Sequence, residues 1–165
     1  MEAYQTAIIA EVKKFVTKAN TELGCTLPMP IIEFSNRMTS AAGRAHFNRH
    51  MGLYRLTFSV PIIKLNSLEH FIGRTVPHEV AHLVQFNKTS TADHSYGFHS
   101  IMRQFGVADS TRCHRYQTPV KANGYAYKCN RCGKEIILGK VRHQRSKLNG
   151  GYRHTVCGGT LIPVY

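Results

Sequence analysis

Apolar residues recur near the start of the chain with helical spacing. Ile8, Ile9, Val12, Phe15 and Val16 fall on one stripe and predict an amphipathic helix over 4–22. Leu27-Pro-Met-Pro30 breaks it, and Ile31-Ile-Glu-Phe-Ser35 reads as a short strand. Ser40-Ala-Ala-Gly43 predicts a turn. Residues 53–60 are rich in β-formers, with Pro61 ending or edging that strand. Asn66, with Glu69 three positions on, predicts a second helix start. Pro77 allows two arrangements: a kinked helix over 67–86, or a helix that restarts at Thr75 with Pro77 in its first turn. Val80, Leu83 and Val84 keep the i, i+3, i+4 rule, and Val76 and Phe86 extend the apolar face. The polar stretch 87–95 ends this helix near Phe86, and Tyr96–Phe105 predicts another. Residues 111–124, with Thr118-Pro119 and Asn123-Gly124, read as a connection. Beyond it, Glu135–Leu138 alternates like a strand and a basic turn follows.

The helix through Val80 also carries His78-Glu79-Val-Ala-His82. At i and i+4 both imidazoles project from one face and can share a metal ion. Glu79, one step around the turn, is placed to take a proton from a metal-activated water rather than to serve as a ligand. An ordinary amphipathic helix with histidines on a polar face would show the same spacing. Here, however, the apolar neighbours bury the motif, and desolvating two histidines and a glutamate is costly unless a metal compensates. His94 is the first choice for a third ligand, with Asp93 and His99 as competing donors. Three protein ligands leave a fourth zinc position open, as hydrolysis requires. The short metzincin spacing is excluded because Lys88 stands where that pattern needs histidine.

Five cysteines lie at 25, 113, 129, 132 and 157. Cys129-x2-Cys132 and His154-x2-Cys157 form paired knuckles, each followed by glycine, which is the arrangement of a zinc ribbon with a closed structural site. His143 competes for the fourth position, but the spacing of His154 and Cys157 mirrors the first knuckle. A ribbon this small has too little core to fold without metal. Cys25 and Cys113 have no matching partner and read as a buried residue and a domain-junction residue.

Length and charge then divide the chain. Its 165 residues suffice for one core plus a small metal-stapled module, read here as 1–120 and 121–165. Residues 1–111 carry 11 basic and 8 acidic side chains, whereas residues 112–165 carry 11 basic and one acidic, Glu135. Such an excess attracts a polyanion, nucleic acid above all. Lys128, Arg131, Lys140, Arg142, Arg145, Lys147 and Arg153 are the candidate phosphate contacts. Tyr125, Tyr127 and Tyr152 could stack on unpaired bases of a single strand, or simply fill the ribbon's core. No transmembrane run and no apolar stretch after a basic N-terminus is present, so the expectation is a cytoplasmic protein without a membrane partner.

Val-Pro-His78-Glu79-Val-Ala-His82-Leu-Val, His94-Ser-Tyr-Gly-Phe98, Cys113-His114 and Tyr127-Lys-Cys129 together resemble the SprT-like family of zinc metallopeptidases. That family includes the catalytic domain of the DNA–protein crosslink protease Spartan. Gly43-Arg44-Ala45 resembles the basic-and-small stretch before the family's second strand. Two positions depart from the pattern: Ser95 replaces the usual glycine, and His154 stands where a cysteine is more usual. The resemblance implies an α+β zincin-like domain, helices on a small, mainly antiparallel sheet, followed by a β zinc ribbon. It implies one catalytic Zn²⁺ on His78, His82 and His94, Glu79 as general base, and low-specificity proteolysis of proteins associated with DNA. Tyr96, His99 and His114 are candidates to steady the oxyanion. The main rival is a non-catalytic, zinc-containing DNA-binding or regulatory protein, which would have no need of the Glu79 carboxylate.

Overall fold

The computed structural model describes residues 2–48, 50–107, 116–119, 124–148 and 150–164. It divides into two compact units, Met1–Pro119 and Val120–Tyr165. Cys113 and His114, and most of the expected connection, lie outside the described residues.

In the first unit, helix α1 (Ala3–Glu22) turns Ile8, Val12, Phe15, Val16 and Ala19 into the core. Strands β1 (Ile31–Ser35), β2 (Gly43–Asn48) and β3 (Leu53–Ser59) form a sheet in the order β1-β3-β2. The sheet is mixed: β1 runs parallel to β3, and β2 antiparallel to it. Gly43, Arg44 and Ala45 therefore lie within the second strand rather than before it. Leu56 and Phe58, two residues apart on β3, are both fully buried, as period-two alternation requires of a half-covered strand.

Pro61 starts a helix rather than merely edging a strand. Ser59 caps α2 (Val60–Leu65) by accepting the Ile62 N–H at 3.2 Å, and proline near the first helical position sacrifices no intrahelical bond. Ile62 and Ile63 are buried on it.

Helix α3 (Leu68–Thr89) is continuous and contains Pro77, with Ser67 rather than Asn66 as its N-cap. It runs three residues past Phe86, where polar side chains of its last turn find partners. Thr89 Oγ1 donates to the Gln85 carbonyl at 2.8 Å, and Asn87 Nδ2 donates to the Tyr54 hydroxyl at 3.2 Å. Ser90, left-handed at φ 56°, ends the helix with its N–H on the Phe86 carbonyl. Phe47 stacks on Phe86 with 3.5 Å between ring centroids, fastening β2 beside this helix. Helix α4 (Tyr96–Gln104) follows, burying Phe98, Ile101 and Met102.

In the second unit, β4 (Tyr125–Cys129) lies between β5 (Glu135–Leu138) and β6 (Leu161–Pro163), antiparallel to both. The expected basic turn is a helix, α5 (Lys140–Leu148). It lacks an apolar stripe because its buried positions are polar: His143 and Ser146, three residues apart. The His143 ring stacks on Tyr125 at 3.4 Å and its Nδ1 meets the Tyr127 hydroxyl at 2.9 Å. Among the described residues, the buried apolar core of this unit is Tyr127, Cys129, Leu138 and Leu161. Among the described residues no helix is long and apolar enough to cross a membrane.

Candidate metal centres

One helix delivers most of the first centre. His78, Glu79 and Gln85 are buried on α3, and His82 is half-buried one turn beyond His78. His94 arrives from the loop between α3 and α4, so that the candidate ligand atoms of His78, His82 and His94 all lie within 4.8 Å of one another. His94 Nε2 is 3.1 Å from His78 Nε2. Tetrahedral bonds to zinc of about 2.0–2.1 Å put ligand nitrogens about 3.3 Å apart, so the trio fits zinc. Burial, aided by the charge of His94, lowers the His82 pKa to about 4, with Asp93 opposing. The imidazole is therefore neutral near pH 7, as a metal ligand must be. Phe98, fully buried, sets its ring 4.5–4.9 Å from all three imidazoles and forms a dry wall behind them.

Of the competing third ligands, Asp93 is engaged elsewhere. Asp93 Oδ1 accepts from Gln85 Nε2 at 2.6 Å and from the Ser95 N–H at 3.0 Å. Neither Asp93 nor His99 belongs to the cluster of three.

Glu79 sits beside this cluster. Burial pushes its carboxyl up to about 8, against the Ala45 N–H, which donates to it and pulls the other way. A divalent cation among the neighbouring imidazoles would draw that value down. The space for the Glu79 side chain exists because residue 43 is glycine: a Cβ there would lie 2.6 Å from Glu79 Cγ. His78, Glu79 and His94 open onto a cavity of about 360 Å³, whose other walls are Ser40–Gly43, Ile62, Tyr116 and Thr118.

Of the expected oxyanion donors, Tyr96 is 80% exposed beneath the Arg103 guanidinium, and neither it nor His99 lines that cavity. His114 lies outside the described residues. Tyr116 is the phenol in the wall, with its hydroxyl 2.9 Å from Thr75 Oγ1.

The second centre gathers Cys129, Cys132, His154 and Cys157, again with ligand atoms within 4.8 Å. Cys129 Sγ and Cys157 Sγ are 3.4 Å apart, far too long for a disulfide of about 2.05 Å. His154 Nδ1 lies 3.2 Å from both Cys132 Sγ and Cys157 Sγ. The backbone N–H groups of Cys132 and Arg131 donate to Cys129 Sγ and bring its thiol down to about 6, toward the thiolate that zinc takes. Gly159 N–H donates to Cys157 Sγ in the second knuckle. Gly133 and Gly158 both turn left-handed, each immediately after its knuckle. Four donors close this site, whereas the histidine trio leaves a face open. His143 stays with Tyr125 and Tyr127, and Cys25 is buried in the first unit's core.

The basic candidates are all exposed: Lys128 on β4, Arg131 in the first knuckle, Lys140, Arg142, Arg145 and Lys147 on α5, and Arg153 at a bridge to Thr160. Arg131 also braces the site by donating from Nη1 to the Cys157 carbonyl at 2.7 Å. Among the described residues, the other six form no ion pair.

Sequence reasoning missed Gly43, Gln85 and Tyr116 as parts of the first centre. For Gln85 a signal existed: it stands at i+7 from His78 and i+3 from His82, a polar residue on the buried metal face. For the other two the contact depends on segments distant in sequence.

Fold and sites thus define an α+β protein with a three-histidine centre on one helix and a Cys3His centre in a small β unit. Residues 7–121 match the SprT-like family, and the chain belongs to it. It is 27% identical over 162 residues to Protein SprT of Shigella dysenteriae and also to that of Escherichia coli, covering 97% of this chain and 94% of each relative. Protein SprT of Yersinia pseudotuberculosis is 26% identical over 166 residues, covering 96% of this chain and 91% of the relative.

Proposed function

We propose that the chain is a zinc-dependent endopeptidase that hydrolyses peptide bonds in DNA-associated proteins. The observation that carries the reading is Glu79, a carboxylate buried at some energetic cost where it opens onto the same cavity as His78 and His94. Purely structural metal binding has no use for it. His78, His82 and His94 would hold a zinc ion, which would supply the Lewis acidity that makes water a nucleophile near neutral pH and polarises the scissile carbonyl. Glu79 accepts the proton of the attacking water on a carboxylate oxygen and passes it to the leaving amine. The Ala45 N–H holds the carboxylate during both transfers, and Phe98 excludes water from behind the imidazoles.

Strand β2 occupies the edge of its sheet beside Glu79 and is the strand along which an extended substrate would lie. Among the described residues, the cavity walls carry no ionisable group besides Glu79, the histidines and the Tyr116 phenol, and Ser40, Ala41, Ala42 and Gly43 are small. Such walls suit broad side-chain tolerance. The ribbon's exposed cations, chiefly Lys140, Arg142, Arg145 and Lys147 on α5, support recruitment to DNA, single-stranded DNA included.

The test is cleavage of a basic DNA-bound protein by zinc-loaded wild type and Glu79→Gln, with and without single-stranded DNA. The reading expects cleavage by wild type alone, stimulated by DNA. Zinc-loaded wild type that cleaves nothing under any condition would favour one dedicated substrate or the non-catalytic DNA-binding reading instead.

A further inference from the structure

We infer that Gln85 is the positioning residue that sets His94 over the histidine pair, through a clamp formed with Asp93 and Ser95. The inference rests on the proposed zinc site and adds the element that completes it. His78 and His82 need no such help, because one turn of a rigid helix fixes their separation. His94 lies outside the helix. It follows the left-handed Ser90 and precedes α4, in a stretch with no helix or strand, so its placement depends on what ties that stretch down.

The Gln85 amide is such a tie. Gln85, 3% exposed on the metal face of α3, donates from Nε2 to Asp93 Oδ1 at 2.6 Å and to Ser95 Oγ at 3.1 Å. Its Oε1 accepts the Asp93 N–H at 3.0 Å. The Ser95 N–H closes the ring by donating to the same Asp93 Oδ1 at 3.0 Å. Both donors and the acceptor of the amide are thus used. The opposite amide orientation would set an oxygen against the Asp93 carboxylate and an NH₂ against the Asp93 N–H, so the network dictates the orientation. The two residues bound to Gln85 are the immediate neighbours of His94 on either side. Fixing both ends of a three-residue segment leaves the histidine between them little freedom, and this holds Nε2 at 3.1 Å from that of His78. Asp93 accordingly acts as an acceptor that orders the loop, not as a ligand. Ser95, where the family pattern has glycine, contributes a hydroxyl to the clamp.

The test measures zinc affinity of the full-length chain by chelator competition, with a His78→Ala/His82→Ala chain to identify the equivalent held by the ribbon. Gln85→Met, of similar volume, should weaken the histidine-site zinc about 10–100-fold and leave the ribbon zinc and the metal-free melting temperature close to wild type. Gln85→Glu sets a second carboxylate against Asp93 and should weaken it likewise. Adding Asp93→Asn to Gln85→Glu removes the carboxylate pair, but one amide position cannot both donate to the new carboxylate and accept the Ser95 N–H as Asp93 Oδ1 does for its two donors. The double variant should therefore recover the affinity in part, a rescue that a general packing role would not produce. Asp93→Asn alone keeps Oδ1 for the Ser95 N–H and should retain zinc; loss of zinc there would make Asp93 a ligand and overturn the inference. Wild-type affinity in Gln85→Met would overturn the clamp while leaving the zinc site intact. A wild-type chain holding only the ribbon zinc would overturn the zinc site itself, and the clamp with it.

Discussion

Gly43 on β2 and Glu79 on α3 meet so closely that a single methyl group on one would displace the other: a Cβ at residue 43 would lie 2.6 Å from Glu79 Cγ and 2.8 Å from Oε1. Neither residue lies in the other's neighbourhood along the chain. Gly43→Ala should therefore shift the carboxylate without touching a metal ligand. Displacing a catalytic group by about 1 Å costs about 100-fold, so kcat/KM for peptide cleavage should fall on that order. Zinc content, measured by metal analysis, should stay at the wild-type value.

Glu79→Gln should retain zinc and lose hydrolysis, a loss of at least about 100–10,000-fold in a cleavage assay. The same variant tests the burial of the carboxylate in metal-free protein. The folded pKa of Glu79 is raised from 4.5 to about 8, so over that window the native state binds the proton more tightly than the unfolded chain. Its contribution to stability is then fully present below about pH 4.5 and is lost as pH rises toward 8, with a slope of up to about 1.4 kcal/mol per pH unit. Denaturant melts of the metal-free chain at several pH values should show Glu79→Gln gaining on wild type as pH rises. A constant difference between the two would contradict the buried, protonated carboxyl.

His154 and His143 make opposite predictions for the ribbon. His154→Ala removes one of four donors and should release the ribbon zinc and unfold the second unit, because among the described residues four apolar or thiol side chains form its buried core. His143→Ala should keep the zinc and loosen α5 alone, since His143 bonds Tyr127 and stacks on Tyr125. Amide NMR spectra of the two full-length variants, with zinc analysis, distinguish these outcomes.

Replacing Lys140, Arg142, Arg145 and Lys147 together by alanine should weaken binding to single-stranded DNA and flatten its salt dependence. Each lost phosphate contact lowers the slope of log K against log salt by about 0.7. Fluorescence anisotropy titrations at several salt concentrations read both quantities. An unchanged slope would remove α5 from the interface.

Much of this protein was legible before its structure. The stripe of α1, the helical spacing of His78 and His82, and the mirrored spacing of the ribbon knuckles all follow from short-range periodicity, which local backbone geometry converts directly into shared faces. Local signals were less decisive at boundaries. Ser59 and Pro61 form a helix start that reads equally as the end of a strand, and α5 is hidden because polar His143 and Ser146, not apolar residues, anchor it. The choice of His94 over Asp93 and His99 turned on where a loop returns, and spacing alone left all three available.

The chain's order of residues thus determined the identities of the donors and the elements that carry them, since ligands on one turn of helix or in one tight knuckle are neighbours by covalent geometry. Tertiary structure alone decided that Gly43 makes room for Glu79, that Ala45 donates to it, and that Gln85 grips both neighbours of His94. Those relationships join different elements of the fold. Their distances are set by how β2 and the 93–95 loop pack against α3, and no local pattern encodes such packing.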